Sequence, residues 1–322
     1  MNETELDQLA AEVVRRVLRG TRGAGRSETP GGGAGPARPR VRASSRPLED
    51  LSWRGPQVQL AAWRPAAGPR RMADFVDHTL LKAEARRTDI VKLCAEARRH
   101  RFAAVCVNPA WVELCARELA GTEVAVASVC GFPLGATTPA VKAAEAAEVV
   151  ARGAAEVDMV AAIGHIRGGE WGYVEDDIRG VVAASTAGGA LVKVIIESAA
   201  LAPEEIVKAS VVAKLAGAHF VKTSTGFHPA GGATVDAVRM MRLAVGDDLG
   251  VKAAGGVRDC ATALAMIGAG ASRIGTSSGV AFVDCLGPAP LSLAELLAKP
   301  EAHAAACKSG SCATPAAAGQ AY

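Results

Sequence analysis

Lys222 closes the short apolar run Ala218-His219-Phe220-Val221, and thirty residues later Lys252 follows a second one, Gly250-Val251. Lysine avoids buried strands, because taking an ammonium out of water costs several kcal/mol unless a partner compensates. Two lysines at matching places on successive strand-like segments predict a site where one ammonium depresses the pKa of the other. An amine that is neutral near physiological pH is the nucleophile that Schiff-base chemistry requires.

Carboxylates accompany these amines. Asp158 lies inside the buried-looking run Glu156-Val157-Asp158-Met159-Val160. It reads either as a structural salt bridge or as a group that relays protons to and from a carbinolamine, where water must be added and lost. Asp77 and His78 end an earlier run and, because strand side chains alternate, should point to opposite sides. An inward Asp77 would bind a substrate hydroxyl or position the lysines, while His78 would belong to the helix layer or a loop.

Two glycine-rich segments could hold a phosphate. Gly255-Gly256 directly follows the Lys252 strand, and Gly275-Thr276-Ser277-Ser278-Gly279 follows another strand and opens a predicted helix. Exposed backbone N–H groups with serine hydroxyls form an anion cradle. Metal chemistry has little support: the six histidines include no HxH or HExxH pair.

These residues need elements to position them. From about residue 72, β-branched runs at 74–78, 103–107, 124–129, 156–161, 191–196, 219–223, 250–253 and 272–275 alternate with helix-like segments. Eight strand–helix alternations predict an α/β fold of the (β/α)8 TIM-barrel type over 72–300, with chemistry at the C-terminal strand ends. A doubly wound sheet is the alternative, but no glycine-rich fingerprint follows the first strand.

The flanks differ in texture. Residues 2–19 predict a short amphipathic helix with Leu6, Leu9, Val13 and Val17 on one face, capped by Asn2 or Thr4 and stopped at Gly20. Residues 21–71 form a Gly/Pro/Arg-rich stretch that predicts a disordered linker, with Trp53 and Trp63 as candidate docking points. Residues 301–322 read as a flexible tail carrying Cys307, Cys312 and Tyr322.

Charge is uneven: residues 1–71 hold 13 arginines and 7 acids, whereas the remainder holds 23 basic and 26 acidic groups. An arginine-bearing arm on a slightly acidic body is not a nucleic-acid-binding profile. No apolar run is long enough to span a membrane, and no secretory signal is legible. The eight cysteines lack regular spacing and no CxxC occurs, which points to reduced thiols in a cytoplasmic protein; Cys307 and Cys312 could pair or bind a metal.

The segments Asp77-His78-Thr79-Leu80-Leu81-Lys82, Val105-Cys106-Val107-Asn108-Pro109, Gly131-Phe132-Pro133-Leu134-Gly135, Glu156-Val157-Asp158-Met159-Val160, Val192-Lys193-Val194-Ile195-Ile196-Glu197, Val221-Lys222-Thr223-Ser224-Thr225-Gly226, Lys252-Ala253-Ala254-Gly255-Gly256-Val257-Arg258 and Gly275-Thr276-Ser277-Ser278 resemble the deoxyribose-phosphate aldolase family in order and spacing across residues 72–286. The resemblance implies a class I aldolase that needs no metal or other cofactor. It would reversibly cleave 2-deoxy-D-ribose 5-phosphate to D-glyceraldehyde 3-phosphate and acetaldehyde. Lys222 matches the family's Schiff-base lysine, Lys252 the lysine that keeps it nucleophilic, and Asp158 the proton-relay aspartate. Asp77, Cys106, Lys193 and Thr223 match the substrate pocket, and Gly255, Gly256, Gly275, Ser277 and Ser278 the phosphate-binding positions. Departures are Ala161-Ala162 after Asp158, and Phe227 where some relatives carry a lysine.

Residues 1–20 resemble the encapsulation peptides that direct enzymes into bacterial microcompartments, which implies a shell protein as partner. The alternatives are a helix packed on its own barrel or one mediating self-association, a homodimer among the expected partners. Tyr322 matches a terminal tyrosine that reaches back over the substrate in some relatives. Two other functions stay open: a Schiff-base aldolase for another phosphosugar, and a catalytically idle barrel whose N-terminal helix binds a partner.

Overall fold

The computed structural model describes residues 1–22 and 71–283. The expectations for Trp53, Trp63, Cys307, Cys312, Tyr322, the linker and the tail fall outside the described residues. Strands β1 (Val76–Leu80), β2 (Ala104–Val107), β3 (Ala125–Cys130), β4 (Glu156–Val160), β5 (Leu191–Ile195), β6 (Phe220–Lys222), β7 (Gly250–Ala254) and β8 (Arg273–Thr276) pair in parallel in chain order and close into a barrel through β1 and β8. A parallel sheet covered on its outer face by helices is buried on both sides, which is why its strands read as apolar runs rather than as clean alternation. The first strand starts two residues later than its sequence pattern predicts, because Met72–Phe75 forms a 3-10 turn.

Outside the strands lie α2 (Arg87–His100), α3 (Val112–Glu118), α4 (Pro139–Ala151), α5 (Ile163–Gly168), α6 (Trp171–Thr186), α7 (Pro203–Leu215), α8 (Val235–Val245), α9 (Cys260–Gly268) and α10 (Gly279–Val283). Their starts follow local chemistry. Proline at the first turn begins α4 and α7. Side-chain caps begin α8, where Thr234 Oγ1 accepts from Ala237 N at 3.1 Å, and α9, where Asp259 Oδ1 accepts from Thr262 N at 2.8 Å.

The large apolar core fills the space between sheet and helices, while the barrel interior is split. On β2 and β3 the inward side chains, among them Ala104, Cys106, Ala127 and Val129, form a small apolar wall backed by Leu81 and Phe132. Facing it, β1 and β4–β8 send in Asp77, Glu156, Asp158, Lys193, Lys222, Lys252 and Arg273, all buried.

The N-terminal helix α1 (Glu3–Arg22) is seated on the barrel, against α7 and α8. Leu6, Ala10, Val13, Val14 and Val17 are buried in the main core, and Asp7 pairs with Lys208 of α7. Of the two capping candidates, Asn2 does the work. Its Oδ1 accepts from Glu5 N and Glu5 Oε2 accepts from Asn2 N, each at 2.9 Å. The helix continues past Gly20, so that glycine is not its stop. Its apolar stripe is thus spent on the chain's own barrel, the packing alternative.

Candidate active site

Alternation along each strand decides which side chains meet inside the barrel. Asp158 and Lys193 are cross-strand partners, as are Lys222 and Lys252, and Lys252 and Arg273. Neighbouring rungs of a closed parallel barrel thereby bring all these charges to one centre.

Asp158 is the hub. Its Oδ2 accepts from Lys222 Nζ at 2.9 Å and from Lys252 Nζ at 2.7 Å, while its Oδ1 accepts from Lys193 Nζ at 2.7 Å. Asp77 is the second anion, its Oδ2 lying 2.5 Å from Lys252 Nζ and 3.6 Å from Lys193 Nζ. His78 turns the other way, to Glu96 of α2 at 2.8 Å, as alternation requires. Cys106 Sγ stands 3.9 Å from Asp158 Oδ2, at the edge of the apolar wall.

The electrostatics separate the lysines. Burial pushes the Lys222 pKa down, Asp158 opposes, and the Lys252 charge adds to the fall. Burial acts on Lys252 in the same sense, but Asp158 and Asp77 overcome it and hold that pKa well above the ordinary lysine value. Lys193 also rises, as Asp158 and Glu156 outweigh its burial. Burial works against the Asp158 carboxylate, yet Lys193, Lys222 and Lys252 keep it ionised. Burial, reinforced by Asp158, pushes the Cys106 thiol up, so it stays protonated. The geometry therefore offers one amine prone to lose its proton beside two that keep theirs.

Two members of this network carried no role in the sequence reading. Arg273 donates to Asp77 Oδ1 at 2.6 Å and to Glu156 Oε1 at 3.0 Å, and Glu156 Oε2 lies 2.6 Å from Lys193 Nζ. Their signal was present, since a charged residue opens each of two otherwise buried strands. Outside this network, Glu197 has a left-handed backbone and holds the loop after β6, its carboxylate accepting from Thr225 N at 3.2 Å and from the Thr225 hydroxyl.

The glycine segments meet at the same end of the barrel. A cavity of about 220 Å³ is lined by Gly226, Gly232, Gly255, Gly256, Arg258 and Ser277, among others. Gly255 and Gly256 have φ of 83° and 81°, and a Cβ on Gly232 would lie 2.2 Å from Gly255 O, so side chains are excluded where the loops cross. Thr276 Oγ1 donates to Val257 O at 2.7 Å and ties the two loops together.

Three expected ligands sit differently. The Thr223 hydroxyl donates to Ala254 O and accepts from Ala254 N, each at 3.0 Å, so it ties β6 to β7 rather than facing a substrate. Gly275 lies within β8, where a Cβ would come within 3.0 Å of Lys252 Cε. It makes room for that lysine instead of lining the cavity. Ser278 donates its backbone N–H to Thr276 Oγ1 at 2.9 Å and is not among the cavity's lining residues. Phe227 packs edge-on against Phe132, ring centroids 5.3 Å apart.

Residues 71–283 match the model of the DeoC/LacD family of aldolases. A deoxyribose-phosphate aldolase of Enterococcus faecalis is 56% identical over 210 residues, 65% of this chain and 94% of that protein. One from a Geobacillus species is 56% identical over 213 residues, 66% of this chain and 95% of its own. Among solved structures, the tetrameric deoxyribose phosphate aldolase of Aeropyrum pernix superposes with a TM-score of 0.63 at 33% identity, over 67% of this chain and 90% of that one. With its barrel, its buried amines and its glycine-bounded cavity on one side of the comparison and these relatives on the other, the chain belongs to the DeoC/LacD family of aldolases.

Proposed function

We propose that the protein is a class I aldolase that reversibly cleaves 2-deoxy-D-ribose 5-phosphate to D-glyceraldehyde 3-phosphate and acetaldehyde. The observation that carries this reading is the unequal footing of Lys222 and Lys252: both donate to Asp158 Oδ2, but Lys252 also meets Asp77. The neutral Lys222 amine attacks the aldehyde carbon of the open-chain sugar, and the resulting carbinolamine loses water to form a protonated imine. That imine accepts the electron pair of the C2–C3 bond as the C3 hydroxyl gives up its proton. Glyceraldehyde 3-phosphate departs, the remaining enamine is protonated at C2, and hydrolysis releases acetaldehyde. Asp158 moves protons through water in these steps, and Lys252 remains charged beside it.

The phosphate would lie in the cavity of Gly255, Gly256 and Ser277, where backbone N–H groups and the Arg258 side chain favour an anion. Ser278, Gly275 and Thr223 then support the pocket indirectly. With Phe227 beside that cavity in place of a lysine, recognition of the phosphate falls more heavily on backbone groups.

Borohydride trapping tests the reading. Acetaldehyde with the reductant should replace one hydrogen on the Lys222 amine by an ethyl group, a net gain of C2H4. An unlabelled protein, or label at another lysine, overturns it. Targeting to a microcompartment through residues 2–19 carries a condition, because a shell protein would compete with α7 and α8 for the same apolar stripe. A fluorescent protein bearing residues 1–22 should co-purify with shell proteins, and a diffuse signal in a shell-forming host discards the idea.

A further inference from the structure

Beneath the reactive amines lies a second charged layer, formed by Arg273 and Glu156. Among the described residues, the buried network holds four groups that can be cationic, Lys193, Lys222, Lys252 and Arg273, against three carboxylates, Asp77, Glu156 and Asp158. Fully protonated, it would carry one uncompensated positive charge in a closed interior, which is strongly unfavourable. One proton must leave. Arginine does not release its own. Lys193 lies within 3.6 Å of three carboxylates, and Lys252 contacts two. Lys222 has a single carboxylate contact, through an oxygen shared with Lys252.

We infer that Arg273 is the positioning residue that makes Lys222 the neutral amine: it supplies the permanent fourth charge and takes one oxygen each of Asp77 and Glu156, whose other oxygens meet Lys252 and Lys193. This rests on the Schiff-base reading above. The guanidinium touches no reacting atom; its Nη1 is 2.6 Å from Asp77 Oδ1, and its Cζ stands 5.6 Å from the Phe220 ring centroid. Without that charge, three lysines and three carboxylates balance, and Lys222 keeps its proton.

The groups facing the centre are Asp77 on β1, Cys106 on β2, Glu156 and Asp158 on β4, Lys193 on β5, Lys222 on β6, Lys252 on β7 and Arg273 on β8, with His219 near Lys193. The inward residues of β3, Ala127 and Val129, are uncharged. Any of these groups can move a pH profile, so the test varies the net charge of the network and not only one residue.

The experiment follows the rate of acetaldehyde labelling at Lys222 with cyanoborohydride as a function of pH, since acetaldehyde itself has no titrating group. Arg273→Met should move the midpoint up by about one pH unit or more, slowing labelling at neutral pH about tenfold. Arg273→Lys should return the midpoint toward that of the unmodified protein. The double variant Arg273→Met/Glu156→Gln, with three cations and two carboxylates, should also return it. Arg273→Gln gives the same reading if the methionine variant does not fold. An unmoved midpoint in folded Arg273→Met or Arg273→Gln overturns the inference, as does a double variant no better than the single one. If the unmodified protein is labelled at Lys222 in either event, the proposed function survives; if it is not, both fall.

Discussion

Lys222 and Lys252 occupy one rung of the β6–β7 ladder and share Asp158 Oδ2, but among the described residues only Lys252 has a second carboxylate, Asp77, at 2.5 Å. In the proposed mechanism, that asymmetry leaves the standing charge on Lys252 and the reactive lone pair on Lys222. Lys252→Leu should therefore do more than empty a position. Losing its charge raises the Lys222 pKa, since Lys252 pushes it down, and the neutral amine then appears only at higher pH. Cleavage at neutral pH should fall by about a hundredfold or more, with partial recovery as pH rises, read from a pH series of kcat/KM. Equal loss at every pH would contradict this division of labour.

Gly275→Ala tests the room beside Lys252. The new methyl would lie 3.0 Å from Lys252 Cε and 3.0 Å from Ala254 Cβ, so the lysine stem must shift. The expected result is a kcat lowered about tenfold to a hundredfold with KM little changed, because misplacement within a site acts mainly on the reacting geometry. A raised KM with normal kcat would return Gly275 to the phosphate site.

Lys142 of α4 and Asp177 of α6 form a fully buried pair at 2.7 Å outside the barrel. Lys142→Met leaves Asp177 as an uncompensated buried acid and should destabilise the fold by about 3–5 kcal/mol. Lys142→Met/Asp177→Leu should recover most of that loss. Urea unfolding of the three proteins decides the matter, and a double variant as unstable as the single one would speak against the pair's isolation.

His219 gives the stability profile a sign. Burial, with help from the Lys193 charge, lowers its pKa from 6.5 to about 4, and its Nδ1 accepts from Val192 N at 3.0 Å. Between those values the unfolded chain binds the extra proton and the folded one does not, so stability falls as pH drops from about 6.5 to 4. The full drop attributable to this ring is about 3 kcal/mol. His219→Asn, which can still accept from Val192, should flatten this part of the curve in denaturant titrations; an unchanged slope would assign the loss to other groups.

Much of the barrel was readable because buried parallel strands announce themselves as apolar runs, and charges inside such runs announce an interior site. Lys222, Lys252 and Asp158 stood out for that reason. Arg273 and Glu156 carry the same signal, but each opens its strand, where a charged residue ordinarily faces solvent beneath a barrel. Thr223 entered only as a match to the family's substrate pocket, and no feature of its segment foretold that its hydroxyl would bridge to Ala254. Gly275 looked like part of a glycine loop, and what distinguishes it is the stem of a lysine on the next strand. The N-terminal helix was legible as a helix, but its partner was not, since amphipathy gives the face to be covered and never the surface that covers it.

That last point reaches the exterior of the molecule. With Val13 and its neighbours turned inward, the flank over α7 and α8 displays the charged back of α1, including the exposed Glu12–Arg15 pair at 3.0 Å. Among the described residues this side wears a hydrophilic coat sewn on by α1, so cutting that segment away would turn a wettable flank into a greasy one.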